Sequence, residues 1–144
     1  MALGDAYVSV MTTAGLNLIQ QALSIYDSDL RLVICNRPFQ EMFNLPVEHT
    51  MPGAEFAETI RLLAQRGEYG EITDIEDMVR LRVEQARAFI PHYMERTRPD
   101  GSTISVEGSP LPTGGWVTVY TDISRVKTQE SLLRARSAEL SDKV

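Results

Sequence analysis

The alternation of hydrophobic and polar residues is clearest at residues 103–107, where Ile104 and Val106 alternate with polar side chains. This period of two predicts a strand with one buried face. A Pro-Asp-Gly turn precedes it and joins it to a strand over residues 92–97. A third strand, residues 116–121, is rich in β-branched and aromatic residues. It leads into a polar helix that runs to the end of the chain, so the pattern predicts a three-stranded meander followed by a helix.

The first half of the chain predicts two more strands, residues 22–27 and Arg31–Cys35, separated by a short acidic turn. The second of these is apolar on both faces, which is typical of a strand buried between two layers. Asn36 follows it and is a favourable N-cap for a short helix that contains Phe39 and Phe43. These elements predict two neighbouring strands that feed directly into a helix.

The middle of the chain is helical. Residues 55–66 carry apolar side chains on one helical face, and a longer helix follows Asp74 and extends to Ile90. Residues 5–21 also show helical spacing, although Gly15 weakens it. The resulting order is helix, two strands, several helices, three strands, helix. It predicts an α+β fold in which helices cover one face of an antiparallel sheet.

Composition narrows the range of functions. The chain has 144 residues, of which 43% are apolar, enough for one hydrophobic core. Its net charge of −6 disfavours binding to the phosphates of nucleic acids. A single cysteine, Cys35, excludes an internal disulfide and any metal site built from several cysteines. With no apolar stretch of membrane-spanning length and no secretory signal, we expect a cytoplasmic location.

Catalytic motifs are missing from the sequence. There is no nucleophile elbow, phosphate-binding glycine loop or nucleotide-binding box of a kinase. The two histidines, His49 and His92, are too few for a zinc site without further nitrogen or sulfur ligands. We therefore expect this segment to be non-catalytic and to hold no metal.

Several motifs in the same order resemble the PAS sensor domains, over about residues 16–124. The first half of the resemblance is LSIYDSDLRLVICNRPFQEMFNLP, and the second half is ERTRPDGSTISVEG with the terminal TDIS. The intervening RLLAQRGEYGEITDIEDMVRLRVEQARA is similar to a variant of the family that is common in bacterial sensor histidine kinases. The combination is more specific than any one of these motifs.

The resemblance implies a five-stranded antiparallel sheet in the order 2-1-5-4-3, with helices cupping one face. It implies three parts: an N-terminal helix for dimerisation or capping (1–21), the PAS domain (22–124) and a linker helix (125–144) towards an output domain. The implied function is signal sensing and dimerisation in a bacterial two-component histidine kinase. The alternatives are a ligand-free module that pairs proteins, or a regulatory domain in cyclic-nucleotide signalling.

The resemblance also bears on cofactors and partners. Light-sensing members bind flavin through a cysteine in an Asn-Cys-Arg-Phe-like helical segment, which this chain lacks. Haem-binding members take a histidine from the helix that corresponds to residues 74–89, where there is none. We therefore expect neither flavin nor haem. The expected partners are a second copy of the chain, an output domain or partner protein, and an unidentified small molecule.

The cup between sheet and helices is the candidate ligand site, although for its apolar side chains we favour ordinary core, because a filled interior stabilises a domain of this size. The apolar candidates are Val33, Cys35, Phe39, Phe43, Phe56, Ile60, Met78, Val106 and Val119. Polar candidates for its rim are Tyr26, Asn36, Tyr93, Arg96 and Tyr120. For Cys35 we favour a buried apolar role. The sequence does not show which face of each strand points inward.

Two further sets of residues concern signal relay and dimerisation. In the family, the acid of an Asp-x-Thr motif ties the last strand to the exit helix, and Asp122 and Ser124 occupy those positions. Asp122 could pair with Arg31, or it could simply cap the last helix. The candidates for a dimer interface are Val8, Met11, Leu16 and Ile19, together with Val126, Leu133 and Leu140, which recur every seven residues.

Overall fold

Five strands form one antiparallel sheet in the order β2-β1-β5-β4-β3, which confirms the predicted topology. The structure is a computed structural model that describes residue 11 and residues 20–142. The strands are β1 (Ala22–Tyr26), β2 (Leu32–Cys35), β3 (His92–Thr97), β4 (Thr103–Pro110) and β5 (Trp116–Asp122). The last three form the predicted meander, and β5 lies at the centre of the sheet between β1 and β4.

Four α-helices occur in the described part of the chain, three of them between β2 and β3. They are α1 (Arg37–Phe43), α2 (Phe56–Gln65), α3 (Ile75–Arg87) and α4 (Ser124–Asp142), with a 3-10 turn at Val47–Thr50. Asp74 caps α3 through a hydrogen bond from the Asp77 amide, as its position predicts. However, α3 ends at Arg87 and not at Ile90, because Phe89 adopts a left-handed conformation with a φ of 49°.

Strand register decides which side chains face the helices. Tyr120 of β5 lies opposite Ala22 of β1 and Val106 of β4, so these three share one face of the sheet. They pack with Phe39 and Phe43 of α1 in the hydrophobic core. Neighbouring residues along each strand point to the opposite face, since the side-chain period of a strand is two. The register therefore gives the sheet an inner face towards α1–α3 and an outer face.

Asn36 joins the sheet to α1. Its side-chain oxygen accepts hydrogen bonds from the Phe39 amide at 3.1 Å and from the Leu23 amide at 2.9 Å. Its side-chain nitrogen donates to the Gln21 carbonyl at 2.8 Å. The residue is almost fully buried. The predicted N-cap is thus confirmed, and the same side chain also fixes the start of β1.

The second strand differs from the prediction. It was expected to be buried on both faces, but Val33 is 50% exposed. β2 is an edge strand, and its register against β1 shifts so that Tyr26 pairs with Leu32 while Ile25 pairs with Ile34. The shift leaves Val33 as an unpaired bulge residue, and bulges are common on edge strands. An apolar run does not by itself distinguish a central strand from a bulged edge strand.

Most of the predicted N-terminal helix lies outside the described residues, and so do the interface candidates Val8, Leu16 and Ile19. Met11 is described, and its side chain is 56% exposed.

Candidate functional site

A cavity of about 380 Å³ lies between the inner face of the sheet and the helices α2 and α3. Its wall is largely aromatic and aliphatic, with Phe56 and Ile60 from α2 and Val106, Trp116 and Tyr120 from the sheet. The polar side chains in its lining include Arg82, Gln85, His92, Arg96 and Thr118. A partly enclosed apolar space with a few polar groups is typical of a small-molecule binding site.

Three of the nine predicted pocket residues, Phe56, Ile60 and Val106, line this cavity. Of the predicted rim residues, Arg96 and Tyr120 line it as well. Phe39 and Phe43 are instead buried in the core, as the alternative reading of these residues allowed.

Three other candidates do not line the cavity. For two of them the prediction is wrong because of the register of the strands. Val119 pairs with Leu23 and Glu107, one position out of phase with Tyr120, so it lies on the outer face. Val33 is the exposed bulge residue of β2. Met78 of α3 is half-buried, but it is not among the residues that line the cavity.

Cys35 is half-buried and packs against the hydrophobic core. Its thiol lies 3.6 Å from the Thr50 carbonyl, to which it donates. Burial raises the pKa of the thiol to about 11, so it is uncharged at neutral pH. These features agree with an apolar role for Cys35 and give it little nucleophilic character.

Trp116 lines the cavity and is held in place by a specific packing arrangement. Its ring stacks on His92 with centroids 5.3 Å apart, and its indole nitrogen donates to Thr118 Oγ1 at 2.9 Å. Gly108 of β4 lies under this stack, and a Cβ atom there would be only 2.8 Å from His92 Cε1 and would also overlap the Trp116 ring. The missing side chain of Gly108 therefore makes room for both rings.

We expect Gly108→Ala to displace the Trp116 ring and to lower the free energy of unfolding by about 1–3 kcal/mol. Trp116 is the single tryptophan of the chain, so its emission reports this displacement directly. Urea unfolding and tryptophan emission spectra test both effects, with Ser109→Ala at the exposed neighbouring position as the control. Unchanged stability together with an unchanged spectrum would contradict the packing argument.

A buried ionic cluster lies beside the cavity, where the segment between α2 and α3 meets β3. Glu68 is 8% exposed and accepts from Arg96 at 2.5 Å and from Arg98 at 2.9 Å. Arg98 also donates to the Met42 carbonyl at 2.9 Å. Burial raises the pKa of Glu68, but the hydrogen bonds from Arg98 and Arg96 outweigh it and hold the pKa below its usual value.

Tyr69 lies between this cluster and the cavity and forms part of the cavity wall. The guanidinium carbons of Arg82 and Arg96 lie 4.8 Å and 5.0 Å from the centre of its ring, within cation–π range. Glu68 and Tyr69 were not among the residues that the sequence predicted for the site. The glycines on either side are the only local signal near these two residues. Their role depends on contacts with residues distant in sequence, and such contacts produce no local periodicity.

The junction between β5 and α4 is fixed by hydrogen bonds to β4. Asp122 Oδ1 accepts from the Ser124 amide at 2.9 Å, which caps the first turn of α4. Ser124 Oγ accepts from the Thr103 amide at 2.8 Å, and the Ile123 amide donates to the Thr103 carbonyl at 2.9 Å. The hydrogen bonds from the Ser124 side chain and amide lower the pKa of Asp122.

The predicted pairing of Asp122 with Arg31 does not occur in the structure. Arg31 forms a 3.8 Å ion pair with Glu55 at the end of the sheet where Tyr26 pairs with Trp116. Asp122 is at the other end of β5, so the length of the strand separates it from Arg31. Of the two alternatives for Asp122, the helix cap is the one present in the structure.

A second attachment of α4 was missed by sequence reasoning. Lys127 Nζ lies 2.8 Å from Glu95 Oε1 of β3, and Tyr93 donates to the same carboxylate at 2.8 Å. The hydrogen bond with Glu95 raises the pKa of Lys127. These residues are far apart in sequence, and only the strand order brings β3 near the base of α4.

Beyond this base, α4 is largely exposed. Val126, Leu133 and Leu140 are each more than half exposed, and so is Leu132. In the described part of the chain, none of the helices is long and apolar enough to cross a membrane. The same residues contain no group of three or more side chains that could hold a metal ion.

A family model described as the PAS fold matches residues 16–131. The non-motile and phage-resistance protein of Caulobacter vibrioides is 27% identical over 129 residues, which cover 88% of this chain and 13% of that protein. The chain thus spans only a small part of this curated relative.

Two solved structures are similar in fold. The PAS domain of Bordetella pertussis BvgS superposes with a TM-score of 0.58 and 13% identity, covering 89% of this chain and 96% of that one. The phage VqmA–DPO complex superposes with a TM-score of 0.54 and 16% identity, covering 94% of this chain and 61% of that one.

Proposed function

Because this chain belongs to the PAS fold family, we propose that it is a signal-sensing domain. In this proposal the cavity binds a small molecule, and β5 relays its occupancy to α4. No catalytic step is assigned to the segment. The finer proposal is that it works in the cytoplasm, within a bacterial two-component histidine kinase. That context rests on the resemblance of residues 61–88 to the variant found in such kinases.

One observation carries the proposal: the strand that lines the cavity continues into the exit helix. Trp116, Thr118 and Tyr120 of β5 all line the cavity, and β5 passes into α4 at Ser124. Val106 of β4 also lines the cavity, and β4 holds the helix base through Thr103. A ligand that displaces either strand would therefore change the support of α4 and shift the populations of its orientations.

A cavity-filling variant tests this relay without knowledge of the ligand. Ala86 lines the cavity from α3, so Ala86→Phe should mimic an occupied state. We expect amide hydrogen exchange at residues 123–127 to change by about fivefold or more, the lower range of allosteric coupling. Arg80→Phe is the matched control, since Arg80 is exposed on the same helix and does not line the cavity.

The relay proposal fails if Ala86→Phe alters Trp116 emission, which shows that the cavity is filled, while exchange at the base of α4 stays equal to that of the control. For the kinase context, autophosphorylation of the full-length parent protein is the corresponding measurement. Asp122→Ala should change it if the capped junction transmits the signal.

A second candidate function, pairing of two copies of the chain, is favoured by the exposed side chains of α4. Val126, Leu133 and Leu140 recur at heptad spacing and are 52%, 68% and 58% exposed. Light scattering over a range of concentrations would detect the dimer. Leu133→Asp should shift the mass towards the monomer, whereas Ser131→Asp, on the opposite face of the same helix, should not. A wild-type chain that is monomeric at every concentration would reject the pairing function.

A further inference from the structure

The charge of the cavity wall is opposite to that of the whole chain. The chain carries a net charge of −6, yet two arginines and no acidic side chain are found among the described residues that line the cavity. Arg96 is already paired, because its guanidinium contacts Glu68. Arg82 forms no ion pair with any of the described residues, and its guanidinium carbon lies 4.8 Å from the centre of the Tyr69 ring. The wall therefore carries positive charge that the surrounding residues leave unbalanced.

We propose that Arg82 binds the carboxylate of a small aromatic acid held in this cavity, an inference that rests on the proposed sensory function. Arg82 is half-buried, so its guanidinium acts where water screens charge less than in bulk solution. The planar guanidinium matches a carboxylate in a bidentate arrangement. The contact between Arg82 and Tyr69 is a cation–π pair, with 4.8 Å between the guanidinium carbon and the ring centre, and such a contact does not require an N–H group to donate a hydrogen bond.

The other residues of the cavity wall indicate the shape and polarity of the rest of the ligand. Phe56, Trp116 and Tyr120 present aromatic surface, against which an aromatic ring packs in offset or edge-to-face geometry. The volume of about 380 Å³ is near the lower end of the range for small-molecule pockets. A single-ring acid fits this space better than a nucleotide or a haem.

A cationic ligand is the main alternative, because aromatic rings also attract cations. The charge of the cavity wall disfavours a cationic ligand. Arg82 and Arg96 would repel a cation, and the lining residues that the structure describes include no carboxylate to compensate. Glu68 contacts this wall through Arg96, but its carboxylate is already shared by Arg96 and Arg98. Charge complementarity therefore selects an anion.

Benzoate and its neutral analogue benzamide are suitable probes, because they share a ring and differ in charge. Binding is followed by emission of Trp116, the single tryptophan, and independently by calorimetry. We expect saturable binding of benzoate to the wild-type chain and weaker binding of benzamide. Arg82→Gln should reduce the affinity for benzoate about tenfold, the value of one charge-assisted hydrogen bond, and leave benzamide unaffected.

Arg80→Gln is the matched control. Arg80 lies on the same helix, is exposed and pairs with Asp77 and Glu84, so benzoate binding should be unchanged. Arg82→Lys keeps the charge without the planar fork and should give an intermediate affinity. Thermal unfolding of each variant checks that the fold is retained.

Three results would overturn the inference: equal affinity for benzoate in the Arg82→Gln and wild-type chains, equal affinity for benzoate and benzamide, or binding of neither probe. The first two leave the sensory proposal intact, because the cavity would still bind a small molecule. The relay has its own test in the Ala86→Phe variant, which involves no anion. The failures of the two proposals are therefore distinguishable.

Discussion

Replacing Glu68 by alanine is expected to lower the free energy of unfolding by about 3–5 kcal/mol, the usual cost of removing one partner from a buried ion cluster. The substitution would leave Arg96 and Arg98, whose side chains are only 18% and 15% exposed, without a carboxylate. Urea unfolding at neutral pH measures the loss. Glu76→Ala is the control, because Glu76 also pairs with an arginine but is 68% exposed, and such pairs contribute about 0–1 kcal/mol.

The stabilisation by Glu68 should also depend on pH in a defined direction. The pKa of Glu68 is lower in the folded chain than its usual value of 4.5, so folding favours the ionised carboxylate. Its contribution is complete above that usual value and is lost as the pH falls through the lower pKa of the folded state. The stability difference between wild type and Glu68→Ala should therefore shrink in acid. A difference that stays constant from neutral pH to strong acid would contradict this account.

Replacing Asn36 by alanine is expected to cost about 2–4 kcal/mol, because it removes a helix cap and leaves buried backbone groups without partners. The Leu23 amide and the Gln21 carbonyl both bind this side chain, so the start of β1 should loosen together with α1. Urea unfolding measures the loss, and hydrogen exchange at Leu23 locates it. Glu41→Ala, at an exposed position of α1, should change stability by no more than about 0.5 kcal/mol. A loss in Asn36→Ala equal to that of this control would exclude the bridging role.

The elements that sequence reasoning located correctly are those with a local physical signal. Asn36 and Asp74 are caps whose hydrogen bonds lie within one helical turn. The meander of β3, β4 and β5 follows from alternation and from the turn at Pro99–Gly101. The order of the five strands came from the family resemblance, because alternation alone does not state which strands pair.

The cavity was predicted only in part, because its wall is set by register and by long-range pairs. Val106 and Val119 look equivalent in sequence, and only the pairing of β4 with β5 places them on opposite faces. Arg82 stands in a helix among other arginines, and nothing in its neighbourhood separates it from Arg80. What distinguishes Arg82 is its contact with Tyr69, which exists only in the folded chain.

The two attachments of α4 make the helix a lever. Thr103 holds its first residue, Ser124, and Glu95 holds Lys127 one turn later, while the side chains of residues 131–140 are all exposed. Its 19 residues extend about 28 Å, so a tilt of about 10° at the base would carry the far end by about 5 Å. A displacement of a fraction of an ångström in β4 or β5 would therefore move the distal end of α4 by a distance several times larger.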